Sequence, residues 1–361
     1  MTSPVIGNQN ILDILDTARQ AVLSDQEINH VAMVLSAYPN KLYLYRHGQC
    51  ALEKVGKQGL EKLVEMTEEA LGNAEYPLRD PELDASYACY NMTTAPLAFD
   101  FLVWLVYAEM RRRKADAPGP LKVGFWLGRD PALALADAKR VQWLEHVFRP
   151  ALALIGAVED QRAVCGWRED RYTIGAIVDR ARDGDEVPRF GLECGYKMTS
   201  SYEPGAVTIT LREADHWPHR NSNIPAWLRF AHDLRWEGHN VVFIRDTAKA
   251  MEPIGDFETD PLASFDLQMR MARYQSAKAN LFVSNGPVTL GVFSDRPWLQ
   301  FVPVEDESSG YAANRPSFWE RANGVKVGNQ YPWSGPAQRL VWERDTYQSI
   351  HAAWEQIEGL V

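Results

Sequence analysis

Residues 207–247 read VTITLREADHWPHRNSNIPAWLRFAHDLRWEGHNVVFIRDT, and the fold is decided there. The run VTITL over 207–211 alternates β-branched and apolar residues and predicts a strand. After a charged stretch, Trp227, Phe230, Ala231 and Leu234 recur at helical spacing over 226–236, and Gly238 provides the stop. The next run, VVFI over 241–244, is wholly apolar, as a strand covered on both faces must be. The alternation continues with a helix over 262–279 (Phe265, Met269, Ala272 and Ser276 on one side) and a strand over 281–283. Ser284-Asn285-Gly286-Pro287 then leads into a short helix reaching Phe293, and WLQFVPV over 298–304 is the next strand. Short strands alternating with helices specify a parallel, doubly wound α/β sheet.

Toward the amino terminus the same grammar recurs. YACYNM over 87–92 is strand-like, Thr93-Thr94 offers a cap, and Pro96 opens a long apolar helix ending in Arg111-Arg112-Arg113. LKVGFWL over 121–127 is a second apolar strand, so strand, helix and strand form a βαβ unit. A helix over 140–154 turns Val141, Leu144, Val147 and Phe148 inward. Helices are also expected over 10–22, 25–35 and 59–71, with a strand KLYLYR over 41–46. The polar span 183–205 separates the two halves, and 339–360 reads as a closing amphipathic helix with Trp342, Tyr347, Ile350, Trp354 and Ile357.

A chain of 361 residues suits two domains rather than one core. A net charge of -10 argues against a nucleic-acid partner, which wants a basic face. The most apolar segment, 95–110, is interrupted by Asp100 and Glu109 and falls short of the roughly 20 residues of a membrane span. The first residues lack a basic region followed by an apolar run, so no signal peptide is read. Cys50, Cys89, Cys165 and Cys194 lack metal or redox spacing, and reduced thiols in a cytoplasmic protein are expected.

In an open α/β sheet the ligand lies outside the carboxyl ends of the strands. After the first strand of the carboxyl-terminal half come Arg212, Glu213, Asp215, His216, His219, Arg220, Asn221 and Asn223. Arginine there offers a planar fork to phosphate or carboxylate oxygens, and Asn221 or Ser222 could equally serve as a helix cap. After the second strand, Asp246 stands where a carboxylate meets ribose hydroxyls, or where a turn simply needs an aspartate. Ser284, Asn285, Gly286 and Pro287 join a strand to a helix start, whose N–H groups favour an anion. No GxGxxG and no Walker lysine accompanies them. Gln268 lies on one side of the preceding helix, while Arg270 and Arg273 are expected on its solvated face.

The order VTITLRE, RNSN, VVFIRDT and QMRMARYQSAKANLFVSNGPVTL resembles the carboxyl-terminal half of GT-B-type glycosyltransferases, in the heptosyltransferase-like and O-fucosyltransferase-like branches. The resemblance implies two Rossmann-like domains facing across a cleft. Residues 1–200 would form the acceptor-side domain with a helical extension, residues 201–338 the donor domain, and 339–361 a helix crossing back onto the first domain. It implies that Ser284, Asn285, Gly286 and Pro287 lie at the donor phosphates and that Arg212 points toward the leaving group. This chain departs from the heptosyltransferase turn in having Ser-Asn before Gly-Pro, without the acidic residue.

The expected function is metal-independent transfer of a sugar from a nucleotide-sugar donor, a substrate rather than a cofactor, to a glycan or other hydroxyl. Donor contacts are expected from Arg212, Arg220, Asn221, Asn223, Asp246, Gln268 and the Ser284–Pro287 turn. A base for the acceptor hydroxyl is sought at Asp100, Glu213 or His47. The alternatives are a non-catalytic sugar- or nucleotide-binding protein of the same fold, and a nucleotide-sugar epimerase.

Overall fold

The computed structural model describes residues 85–92, 95–127, 135–160, 163, 173–192, 202–215 and 217–361. The elements expected before residue 72, together with His47, Thr93, Thr94 and His216, lie outside them.

The expected βαβ unit is present. Strands β1 (Tyr87–Asn91) and β2 (Lys122–Trp126) run parallel, joined by α1 (Asp100–Lys114). Helix α1 begins later than Pro96 suggested: its N-cap is Phe99, and the Pro96 carbonyl accepts from Tyr90 Oη at 2.9 Å in the preceding turn. Its arginine end also serves a buried carboxylate, since Glu109 accepts from Arg112 Nε at 2.7 Å and from Arg113 Nε at 2.9 Å. The helix expected over 140–154 is divided into α2 (Ala138–Trp143) and α3 (Arg149–Ala153) by a π-helical turn over Leu144–Phe148. Pro150 lacks the N–H that a regular ladder would need there. The two-residue β3 (Val158–Glu159) pairs with β2, and α4 (Ile174–Arg182) starts on Thr173, whose Oγ1 accepts from Ala176 N.

The second half runs β4 (Val207–Thr210), α5 (Ile224–Trp236), β5 (Val241–Ile244), β6 (Glu258–Thr259), α6 (Pro261–Phe265) and α7 (Leu267–Ser276). It continues with β7 (Ala279–Val283), α8 (Val288–Val292), β8 (Trp298–Phe301), α9 (Pro316–Ala322), β9 (Gln338–Val341) and α10 (Tyr347–Glu355). All strand pairs of this sheet are parallel, in the order β6-β5-β4-β7-β8-β9. Counted from β4 that order is 3-2-1-4-5-6, the doubly wound arrangement, with its reversal between β4 and β7. The chain is an α/β protein with parallel sheets.

Three expectations are corrected here. The helix over 262–279 breaks at Asp266, whose backbone is extended and whose carboxylate caps Met269 N at 2.8 Å. Arg270 and Arg273 are buried rather than solvated, and Arg273 Nε reaches the buried Asp260 at 2.7 Å while its guanidinium lies over the Tyr202 ring. The 339–360 segment is not one helix. It opens within β9, which pairs with β8, and then forms α10. Nor does α10 rest on the first half among the described residues. Ile350, Ala353 and Trp354 pack with Trp227, Phe230 and Leu234 of α5, and Tyr347 Oη donates to Asp233 at 2.7 Å.

The halves share one core. A single apolar cluster runs from Phe101, Leu105 and Met110 of α1 through Val288, Leu290 and Val292 of α8 to Phe293 and Tyr331. Phe190 N donates to Phe293 O at 2.7 Å and Gln268 Nε2 to Pro150 O at 3.4 Å, both across the seam. Among the described residues no helix is long and apolar enough to cross a membrane.

The Arg273–Asp260 pair gives the stability test. Removing the cation strands a carboxylate that is 5% exposed. Arg273→Met should therefore lower the unfolding free energy by about 3 kcal/mol or more in urea titration. A change under about 1 kcal/mol would mean that water reaches Asp260 after all.

Candidate functional site

The sheet sends the carboxyl ends of β4, β7, β8 and β9 to one edge, where they enclose a cavity of 280 Å³. Arg220 and Asn221 come from the loop after β4, Ser284 and Asn285 from the turn after β7. Val302 and Pro303 follow β8, and Arg344 and Asp345 follow β9. Ile174, at the start of α4, closes the wall from the first half, while Phe318 and Trp319 of α9 close it from the second.

The polar loop after β4 is tied together by Asn221. Its Oδ1 accepts from Ala214 N at 3.1 Å and from Arg212 Nη1, and its Nδ2 donates to Ala214 O at 2.9 Å. Arg212 is 5% exposed and is directed into the loop, donating also to the Trp217 carbonyl at 3.5 Å. It stands behind the cavity, not on its wall. The arginine on the wall is Arg220 rather than the expected Arg212, and its Nη2 donates to Ser284 O at 3.2 Å. Among the described residues no carboxylate pairs with Arg220. Burial lowers its pKa from the ordinary arginine value, and burial followed by the Arg220 charge lowers that of Arg212. Arg220, a desolvated cation on the cavity wall, calls for an anion.

The Ser284–Pro287 turn is where the sequence placed it, but it works differently. Helix α8 has five residues, and the first N–H it would present, on Val288, is taken by Asn285 Oδ1 at 3.0 Å. The anion attraction expected from this helix start thus passes to the arginines. Gly286 is there for a close approach: a Cβ would sit 2.4 Å from Phe99 Cδ2, the residue before α1. Asp100, the next residue, is exposed in the first turn of α1 and does not line the cavity.

Several expected contacts lie elsewhere. Glu213 is locked to Arg245, with Oε2 accepting from Nε at 2.9 Å and Oε1 from Nη2 at 2.5 Å. Asp246 Oδ2 accepts from Glu213 N at 2.6 Å at the end of β5. Asn223 caps α5, its N donating to Asp345 Oδ2 at 2.7 Å, and Gln268 bridges to Pro150. None of these four lines the cavity. Glu237, His239 and Glu358 bring three potential ligand atoms together, but they belong to the amino edge of the sheet, opposite the cavity.

The sequence reading missed Gln300, Arg344, Asp345, Asn314 and Tyr331 on the wall. Arg344 is shared with Glu305, which also accepts from Ser309 Oγ at 2.6 Å and Asn314 Nδ2 at 3.2 Å, clasping the loop 305–315. From that loop Tyr311 stacks on His219, ring centroids 3.2 Å apart, with Trp217 edge-on at 5.9 Å from His219. Trp217 is 56% exposed at φ +58°, a left-handed backbone that costs a non-glycine residue about 1 kcal/mol or more.

No protein-family model matches the chain, and no curated protein sequence does. Two solved structures are similar in chain path. A glycosyl transferase family 9 protein from Veillonella parvula matches 76% of this chain and 97% of its own at 12% identity, with a TM-score of 0.42. The iron-containing dodecameric glycosyltransferase TibC from enterotoxigenic E. coli matches 78% and 76% at 14% identity, with a TM-score of 0.37. The chemistry of the site rests on its own residues.

The cationic surroundings of His219 set a pH test. Burial, then the charges of Arg220, Arg212 and Arg344, lower its pKa, with Glu305 opposing them. A histidine lowered on folding binds fewer protons in the native state, so stability is lost as pH falls from above about 6.5 through the native value. The melting temperature should drop more between about pH 7.5 and 5.5 in the wild type than in His219→Asn. Equal drops would remove His219 from the cluster.

Proposed function

We propose that the chain is a glycosyltransferase that moves a sugar from a nucleotide-sugar donor to a hydroxyl acceptor. The observation that carries this reading is Arg220, a half-buried cation on the cavity wall without a carboxylate partner among the described residues, at the β4–β7 reversal where an α/β sheet holds its ligand. Arg220 and Arg344 bind the diphosphate beside Ser284 and Asn285 on the cavity wall. The acceptor hydroxyl attacks the anomeric carbon, the bond from that carbon to the diphosphate oxygen breaks, and the proton passes to a carboxylate. Asp100 takes that role from the first half, beside the turn. The arginine charges offset the negative charge developing on the leaving oxygen without a metal.

The ion pair of Glu213 with Arg245 supports Asp100 over Glu213 as the base in this reading. The same ion pair favours, as a second reading, a protein that binds the nucleotide sugar without turning it over.

A thermal-shift panel of nucleoside diphosphates and nucleotide sugars tests the binding. One class should raise the melting temperature, and Arg220→Ala should weaken it about 10- to 100-fold, the loss of a charge-assisted hydrogen bond. Asp100→Asn should leave the melting temperature unchanged and lower kcat about 100-fold or more. No shift with any of these ligands at millimolar concentration would sink the reading. Binding without turnover would select the second.

A further inference from the structure

Gln300 occupies a position where an apolar residue would pack. It stands in β8 between the fully buried Leu299 and Phe301, and is itself 4% exposed. Its Nε2 donates to Ser284 Oγ at 3.0 Å, and Ser284 Oγ donates onward to the Phe301 carbonyl at 3.3 Å. That chain fixes the amide: a hydroxyl committed to a carbonyl can only accept from the glutamine, so Nε2 faces it. Gln300 Oε1 is left buried on the cavity wall without a partner.

Asn285 repeats the pattern with the opposite atom. Its Oδ1 is committed to Val288 N, so its Nδ2 is the buried atom without a partner, on the same wall. β7 and β8 are neighbours, with Val283 in register with Phe301, so both amides stand at the same end of adjacent strands. A buried polar atom without a partner destabilises the fold by about 1–3 kcal/mol, and this wall carries an acceptor and a donor in that state.

We propose that Gln300 and Asn285 are a specificity-determining pair that reads neighbouring hydroxyl groups of a sugar. A hydroxyl both donates and accepts, so a vicinal pair satisfies Oε1 and Nδ2 together. Ionised phosphate oxygens only accept, and Gln300 Oε1 disfavours them. The phosphate therefore sits with Arg220 and Arg344, and the ring it carries turns its hydroxyls to the amides. This assignment rests on the reading of the cavity as the donor site, but it concerns the sugar and can be tested without turnover.

The probes are hexose 1-phosphates, ribose 5-phosphate, their deoxy counterparts, inorganic phosphate and free nucleosides, titrated calorimetrically. The wild type should bind one hydroxylated sugar phosphate about ten-fold more tightly than a deoxy counterpart, and the pentose and hexose arms separate the two ring sizes. Gln300→Met should melt at or above the wild-type temperature, because the unpaired oxygen is gone. It should lose that ten-fold preference while binding inorganic phosphate within about two-fold of the wild type. Asn285→Asp, which keeps the cap on Val288 N, should lose the preference as well. The pair is overturned if the deoxy probes bind as well as their parents or if no hydroxylated probe binds. It is also overturned if Gln300→Met weakens inorganic phosphate as much as the sugar phosphate, or if free nucleosides are what that variant loses. Lost sugar preference with no turnover of any nucleotide sugar would keep the pair and remove the transferase. Turnover with the same sugar preference in Gln300→Met and wild type would do the reverse.

Discussion

Six strands that all point one way leave the molecule a single edge at which their carboxyl ends can meet. Because β4 is the first strand of the sheet and β7 the fourth, the chain leaves these two neighbours in opposite directions, and the loops above them part. The cavity of the second half follows from that gap. Arg220 enters it from one side, Ser284 and Asn285 from the other, and the strand ends of β8 and β9 add Gln300, Arg344 and Asp345. Helices packed on both faces, α5 and α10 on one and α1 with α8 on the other, hold the strands rigid enough to keep these groups convergent.

The charge at the cavity is set by what each carboxylate is already doing. Glu213 is engaged by Arg245, Asp260 by Arg273 and Glu305 by Arg344. Asp345 keeps both neighbouring donors, Asn223 N and Trp227 Nε1, and burial still raises its pKa against them. Arg220 is left without such a partner among the described residues. A chain with a net charge of -10 thus concentrates a cationic pocket inside an acidic surface, and the overall charge says little about the ligand.

Much of the fold was legible because apolar strands and helix stops are local signals. VTITL, VVFI and LFV each became a strand of the sheet within a residue or two. The misreadings came from tertiary choices. The 339–360 segment carries a helical apolar spacing, but its first residues pair with β8, and that error hid Arg344 and Asp345. Recognising β9 would have exposed them through the same strand-end rule that found Ser284. Gln300 left a visible trace, a lone amide in the apolar run WLQFVPV, which a buried strand tolerates only for a reason. Arg212 could not be separated from Arg220 in the sequence. Both follow β4, and only the hydrogen bonds of Asn221 send one inward and leave the other on the wall.

The shared core has a kinetic consequence. Two domains joined by a linker can open like a book, but here α1 buries Phe101, Leu105 and Met110 in the same cluster as α8 of the other half. Swinging the halves apart would expose that apolar surface at about 25 cal/mol for every Å², a barrier that grows with the opening angle. The cavity takes Ile174 from the first half and the rest of its walls from the second, so its shape depends on the same buried cluster.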